Sequence, residues 1–407
     1  MLAVSKPAAA PLPPFPPEPD QGRSDRTDGL AEVRVEGARL RLVELPLVRP
    51  FTTSVGTDTV KTALLVELVG DGLRGWGECV ADPGPSYFGE TLVTARHVLT
   101  EYLLPEVVGS PRRPVADHLR RITWVRGHPM AQAALEMALL DLAGQATGRS
   151  LAQILGGVRV RVACGVSVGI EATVAATLRA VDGYCAEGYQ RVKLKCRPGR
   201  DERVVAAVRR AFPTLPLTVD GNAAYTLADL AVLQRLDRYG LLMIEQPLAH
   251  DDLVDHARLQ ALLRTPVCLD ESVPSVASAR AAIALRAGGM INLKPGRVGG
   301  LLAAAAIHDL CGAAGWPTWV GGMLETGIGR AANVALASLP NNTLAGDTSA
   351  SDRYFSEDLV AEPFRLGLDG TLAVPTRPGL GAEPDPERLA RVTTWLERFT
   401  GPGTGHG

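Results

Sequence analysis

From residue 160 to residue 348 the chain repeats one unit. A short apolar run is followed by a helical stretch, and the pair recurs about every 25 residues. The runs are Val160–Val168, Arg191–Cys196, Leu217–Asn222, Leu241–Gln246, Pro266–Glu271, Met290–Lys294, Thr318–Gly321 and Leu344–Thr348. They are apolar or β-branched throughout rather than alternating, as strands covered on both faces should be. Eight such units in roughly 200 residues predict an α/β fold, a (β/α)8 or TIM-like barrel. A doubly wound sheet is the alternative, but no G-x-G-x-x-G follows the first run.

The flanks read differently. Strands are expected at 33–48, 62–69 and 73–79, the last two joined through Gly70-Asp71-Gly72. Helices follow near 89–104, 114–122 and 129–146. Residues 31–155 are therefore expected to form an N-terminal α+β domain, and 156–370 the barrel. Residues 371–407 are left as a C-terminal segment with a flexible tail. Residues 1–30 hold seven prolines and few large apolar residues, and are expected to be a disordered extension.

Charge excludes several functions. Lys+Arg 42 against Asp+Glu 44, mixed along the chain, argues against a nucleic-acid partner or a polybasic membrane surface. No apolar run reaches the roughly 18 residues of a membrane span, and no signal-peptide pattern opens the chain. Six scattered cysteines without a C-x-x-C pair are expected to be reduced thiols in a cytoplasmic protein.

A barrel keeps its chemistry at the C-terminal ends of its strands. There the runs carry Lys193 and Lys195, then Asp220, Glu245, Asp270 and Lys294, at intervals of 25, 25 and 24 residues from Asp220 onward. Three carboxylates on neighbouring strands need a positive partner. All-oxygen ligation suits Mg²⁺ or Mn²⁺. Acidic strand ends also cap helices, and lysines there also serve as ion-pair partners. Only five of the 42 basic residues are lysine, yet three stand at these ends. Lysine, unlike arginine, can give up its proton. Lys193 and Lys195, two apart, are expected to reach the site together with the help of strand twist. Lys294 arrives from the other side. Such an arrangement can remove an α-proton from one face of a carbon and return it to the other, through an enolate. A lysine close to a metal and another cation is expected to have a lowered pKa. One competing pattern is Gly165-Val166-Ser167-Val168-Gly169, which fits the serine-hydrolase G-x-S-x-G, with Asp270 and His308 as triad partners. A Schiff-base aldolase would leave the carboxylates unexplained. A barrel kept only as a binding module would be expected to lack one of these groups.

These residues lie in recognisable segments: G-W-G-E-C-V at 75–80, V-K-L-K at 192–195, T-V-D-G-N at 218–222, I-E-Q-P-L at 244–248 and C-L-D-E-S at 268–272. N-L-K-P-G-R-V-G-G at 292–300, G-G-M-L-E-T-G-I-G-R-A-A-N at 321–333 and G-D-T-S-A-S at 346–351 continue the series. From about 33 to 395 the chain resembles the enolase superfamily, in its branch of N-acylamino acid racemases and o-succinylbenzoate synthases. The resemblance implies a modified barrel under the N-terminal cap, with the C-terminal segment packing back on that cap.

For the site, the resemblance implies Mg²⁺, replaceable by Mn²⁺ or Co²⁺, on Asp220, Glu245 and Asp270. It makes Lys195 and Lys294 opposed acid/base groups, Lys193 their helper and Arg297 a modulator near Lys294. Asn222 would be a polar contact beside the metal site. Ser54, Ser167, Gly322 and Met323 are candidate substrate contacts, and the cap loops Thr52–Thr59 and Pro83–Gly89 would set specificity, with Thr53-Ser54-Val55-Gly56 small enough to move as a lid. The implied reaction is racemisation of N-succinylamino acids with o-succinylbenzoate synthesis, or the synthase reaction alone. The substrate would be a small carboxylate and the protein a homo-oligomer. The chain departs from the family pattern at Gly221, Val320 and Asn342, which bears on the acyl preference. The D-x-D of dipeptide epimerases is absent; the eighth run reads Asp347-Thr348-Ser349.

Overall fold

The structure is a computed structural model, and it describes residues 26–54 and 56–401. The proline-rich stretch expected to be disordered lies, up to residue 25, outside the described residues, as do Val55 of the proposed lid and the last six residues.

The N-terminal domain is built on an antiparallel sheet of β1 (Gly37–Thr52), β2 (Thr57–Gly70) and β3 (Leu73–Cys79). Asp71 and Gly72, both at positive φ (52° and 76°), close the β2–β3 hairpin in the two-residue form that suits strand twist. The β1–β2 hairpin is longer than expected. It shortens the supposed loop 52–59 to a turn, in which Thr53 N donates to Gly56 O at 2.9 Å. The residues before it, Glu32–Val35, form a separate strand paired with Ser110–Pro114. Thr393–Thr400 adds to the free edge of β1.

Helix α1 (Pro129–Thr147) lies across this sheet. Proline opens it and Gly148, at φ 71°, ends it. It is buried nearly all round because cap and barrel press on opposite sides. Gly75 and Gly77 of β3 permit the approach. A Cβ at either would lie 2.1 Å from Ala138 O or 1.9 Å from Ala134 O.

The barrel sheet is parallel and sequential: β4 (Gly165–Val168), β5 (Arg191–Lys195), β6 (Leu217–Asp220), β7 (Ile244–Glu245), β8 (Val267–Leu269), β9 (Met290–Leu293) and β10 (Thr318–Val320). Seven of the eight expected strands are therefore regular. The first is cut in two. Arg161–Ala163 peels away to pair antiparallel with Thr371–Ala373, and only 165–168 joins the barrel. The eighth run closes the ring without forming a strand. Gly165 N donates to Gly346 O at 2.6 Å, and Asp347 N to Val320 O at 2.9 Å. The backbone passes so close that a Cβ on Gly346 would meet Val320 O at 2.6 Å.

Buried carboxylates tie the cap together, and one of them joins it to the barrel. Glu78 of β3 accepts bonds from Thr326 N (3.0 Å), Thr326 Oγ1 (2.7 Å) and Gly329 N (2.9 Å), capping barrel helix α2 (Gly327–Ala337). Glu90 accepts from Met130 N and Ala131 N at the start of α1. Asp141 accepts from Trp76 N and Leu380 N. Burial pushes Glu78 and Glu90 up to about 7 and Asp141 to about 6.

A carboxylate whose folded pKa lies above its unfolded value ionises first in the unfolded chain. Its stabilising contribution is full below the unfolded pKa and is lost as pH rises through the folded one. Glu78→Gln cannot ionise and should lose this dependence. Between pH 4.5 and about 7.5 its stability relative to wild type should rise by up to about 3 kcal/mol. Urea melts at the two pH values check this. A difference that stays constant would show that Glu78 titrates in the folded protein as it does in the unfolded chain.

Candidate active site

Register brings the first polar strand ends together. Lys195 is level with Asp220, and Asp220 with Glu245, across β5, β6 and β7. Asp270 follows β8 and Lys294 follows β9. Asp220, Glu245 and Asp270 are fully buried. The turns that carry the chain away are strained: Asn222, Ala223, Gln246 and Leu324 all have positive φ (32–60°) without being glycine. Such backbone clusters where a site dictates side-chain direction.

Lys193 and Lys195 both reach Asp220 Oδ2, at 3.3 and 2.7 Å. Twist is not required, because residues i and i+2 share a face of a strand. Lys193 also contacts Glu245 Oε2 (3.0 Å) and Asp347 Oδ2 (2.6 Å). Lys195 donates to Asn222 Oδ1 at 2.8 Å. On the far side Lys294 donates to Asp270 Oδ2 at 2.8 Å and to the Tyr87 hydroxyl at 3.0 Å. Arg297 is fully buried. It bonds Asp270 Oδ1, Asn292 O (2.6 Å) and Val273 O (3.1 Å), so its influence on Lys294 passes through the shared Asp270.

The carboxylates around Lys193 and Lys294 raise the pKa values of both lysines. Burial opposes the charge on Lys193, but Asp347, Glu245 and Asp220 outweigh it and hold its pKa above the ordinary range. Burial likewise opposes the charge on Lys294, and Tyr87, Glu271 and Glu245 raise its pKa against it. Asp220 is held low against the pull of burial by Lys195 and Lys193.

Several functional neighbours were missed from sequence. Asp347 receives Arg191 Nη2 at 2.5 Å as well as Lys193, and Arg191 and Lys193 both lie over the Trp319 ring, at 4.6 and 5.1 Å. Asn292 donates to Glu245 Oε1 at 2.8 Å. Glu271 accepts from Asn222 Nδ2 at 3.1 Å, and its other oxygen is buried without a partner. Asp347 was findable, since it lies near the end of the eighth run as Asp220 lies near the end of the third. Tyr87 carried no such signal, because it comes from a cap loop.

A cavity of about 320 Å³ opens over these groups. Lys193, Lys195, Asn222, Lys294, Ser167, Gly322 and Met323 line it from the barrel, and Tyr87, Thr53 and Gly56 from the cap. Ser54 does not line it; its hydroxyl is buried in the turn without a partner. Asn342 lies at the opposite end of the barrel, bonded to Thr318 Oγ1 and Leu336 O, and so cannot act on an acyl group at the mouth. A Cβ at Gly221 would press Tyr225 at 3.0 Å, so glycine here relieves crowding beside the site.

The hydrolase arrangement does not form. Ser167 Oγ donates to Asp347, Asp270 is engaged by Lys294 and Arg297, and His308 accepts from Asn341 N at the outer helix layer.

Residues 175–388 match the Enolase C-terminal domain-like family, and 37–156 match the Mandelate racemase / muconate lactonizing enzyme, N-terminal domain family. The chain belongs to the enolase superfamily. An N-succinylamino acid racemase of Amycolatopsis sp is 52% identical over 363 residues, covering 89% of this chain and 98% of that protein. An o-succinylbenzoate synthase of Geobacillus kaustophilus is 48% identical over 368 residues, 90% and 98% of the two chains. The crystal structure of an enolase superfamily member from Listeria innocua superposes with a TM-score of 0.87 at 41% identity, covering 90% of this chain and 99% of that one. These likenesses place this superfamily member in the branch that holds the racemases and the synthases.

Enolase superfamily proteins are divalent-metal dependent. Among the described residues no three acidic, histidine or cysteine side chains are already gathered around one point. Each carboxylate instead faces an ammonium or guanidinium. The donor set nevertheless fits a hard cation. It is all oxygen, it comes from three adjacent strands, and beside it Glu271 keeps a buried oxygen without a donor. Burial and the neighbouring Asp220 push the Glu271 pKa up, as an excess of negative charge would.

Two outcomes are expected. Fluorophosphonate should not label Ser167, as mass spectrometry of the treated protein would show; labelling abolished by Ser167→Ala would restore the hydrolase reading. Asp347→Asn should lower stability by about 3–5 kcal/mol in denaturant melts, because Arg191 and Lys193 lose a buried counter-charge. Ser167→Ala, which removes one bond to the same carboxylate, should cost about 1 kcal/mol.

Proposed function

We propose that this protein abstracts the proton α to a carboxylate and racemises N-acylamino acids, N-succinyl derivatives above all, with o-succinylbenzoate synthase activity on the same site. One observation carries this reading. Lys195 and Lys294 line a single cavity from the two ends of an arc of three buried carboxylates. Asp220, Glu245 and Asp270 would hold a divalent cation, Mg²⁺ in the first instance with Mn²⁺ or Co²⁺ as substitutes. Bound there, it supplies positive charge that favours the enolate over the carboxylic substrate.

The chain's own residues do the rest. The lysine on one face, as the neutral amine, takes the α-proton and becomes an ammonium. The ammonium on the other face donates a proton to the same carbon and becomes the amine. The configuration is thereby inverted, and substrate of the other hand reverses the two roles. Lys193, held charged by Asp347, Glu245 and Asp220, keeps a fixed positive charge beside the developing anion. Asn222 ties Lys195 to Asp220 and Glu271. Small apolar surface from Met323, Leu324 and Phe51 is available for the amino-acid side chain.

The synthase reaction alone is the second reading, supported by the 48% identity to a synthase. It needs one lysine as base and the other only as a cation. We also read the protein as cytoplasmic, which suits six unpaired cysteines of which five are buried, and as a homo-oligomer.

The test is α-proton exchange. N-succinyl and N-acetyl L- and D-phenylalanine or methionine are incubated with enzyme and Mg²⁺ in D₂O, and NMR and polarimetry follow deuteration and rotation. Exchange with loss of rotation is expected, abolished by EDTA and reduced at least about 10²-fold in racemisation by Lys195→Ala or Lys294→Ala. Fast dehydration of the cyclohexadiene precursor of o-succinylbenzoate without any exchange would establish the synthase reading instead.

A further inference from the structure

The two lysines are not held alike. Lys195 Nζ bonds Asp220 Oδ2 at 2.7 Å and Asn222 Oδ1 at 2.8 Å, and both partners belong to the end of β6. Its seat is made by the barrel alone. Lys294 Nζ bonds Asp270 Oδ2 at 2.8 Å from the barrel and Tyr87 Oη at 3.0 Å from the cap. The ammonium also lies 4.7 Å from the centre of the Tyr87 ring. Tyr87 Oη in turn donates to Asp270 Oδ1 at 3.2 Å. An ammonium has three N–H groups. With two directed at Asp270 and Tyr87, the third is left for the cavity that Lys294 lines.

The segment carrying Tyr87 is pinned at its base. Leu92 N donates to Asp82 O at 2.9 Å, and Asp82 bridges Thr91. Glu90 is bonded to the start of α1. Tyr87 thus projects from a short loop whose two ends are fixed to the cap, onto a lysine that belongs to the barrel.

From this asymmetry we infer that Tyr87 is a positioning residue for Lys294. Through it the cap sets the direction in which that lysine presents its proton or its lone pair to the substrate carbon. Lys195 needs no such support. The inference rests on the two-base reading and refines it: the cap governs proton transfer on one face of the substrate and leaves the other face to the barrel. Lys294 remains the group that exchanges the proton, and Tyr87 acts through it.

The consequence is a dependence on substrate hand. Tyr87→Phe keeps the ring over the ammonium and removes only the hydroxyl. Lys294→Ala first identifies which enantiomer has its α-proton facing Lys294, as the one whose exchange in D₂O is lost. For that enantiomer Tyr87→Phe should slow α-proton exchange roughly ten- to a hundredfold, the weight of one hydrogen bond to a charged group. The other enantiomer should still be deprotonated by Lys195 and deuterated on the same face. It should therefore exchange within about twofold of wild type while its racemisation falls. Exchange without inversion, in one hand only, is the signature of positioning. Tyr87→Leu, which also removes the ring, should widen the difference between the hands.

Equal slowing of both hands would show a general structural role and overturn the inference. So would no slowing in either, or a loss of Mg²⁺ affinity, measured by titration calorimetry, that matches the loss of rate, since the effect would then run through Asp270. If the wild-type protein exchanges neither enantiomer, the two-base reading itself fails, and that result is distinct from all the others.

Discussion

Everything at the barrel mouth depends on how buried charge is balanced there. Asp220, Glu245, Asp270, Glu271 and Asp347 put five carboxyl groups at or near full burial. Lys193, Lys195, Lys294, Arg191 and Arg297 put five cationic groups among them. An unpaired ion in such surroundings costs several kcal/mol, and loss of one partner strands the other. The cluster therefore stands or falls as a unit, and this explains the direction of its shifts. Asp220 and Asp347 are held low by the cations they face, and Lys193 and Lys294 are held high by anions, each against the opposing effect of burial. A divalent cation placed among the same carboxylates would take over charge that the lysines now balance. Freed in this way, a lysine can approach the range in which it exchanges protons with a carbon acid.

The fold serves that balance in two ways. The parallel barrel sets equivalent residues of successive strands side by side, so charge accumulates at one end without any long-range design in the loops. The cap then contributes part of the wall of the cavity at that end. Glu78, seated on helix α2, ties the cap to the barrel. The cap also has a hand in the chemistry, since Tyr87 reaches Lys294 across the domain boundary.

Much of this was legible in the chain because barrel units have nearly constant length. Intervals of 25, 25 and 24 residues place Asp220, Glu245, Asp270 and Lys294 at the ends of successive strands; the structure has Asp220 level with Glu245, and Asp270 and Lys294 each just past the end of its own strand. The same arithmetic was weaker at the two ends of the ring. The run 160–168 is divided between two sheets, and 344–348 closes the barrel through single hydrogen bonds, so neither looks like a full strand in contact terms although both look apolar in sequence. Asp347 escaped notice for that reason. Asn342 was misjudged because a residue at the start of a run lies at the far end of the barrel from one at its finish. Ser167 matched a nucleophile pattern, but the pattern says nothing of what its hydroxyl faces, and it faces a carboxylate.

The amino-acid sequence by itself determined the class of chemistry. Periodic apolar runs impose a parallel barrel, and carboxylates and scarce lysines at the ends of those runs impose a cationic, proton-transferring mouth, because strand register is a local property that spacing encodes. The tertiary structure alone decided which groups touch. That Lys193 is locked by Asp347, that Arg297 acts on Asp270, and that Lys294 rests on a tyrosine from another domain are contacts between segments up to about 200 residues apart. No spacing rule reaches across such a distance; the packing of cap on barrel sets those contacts, and with them the difference between the two faces of the site.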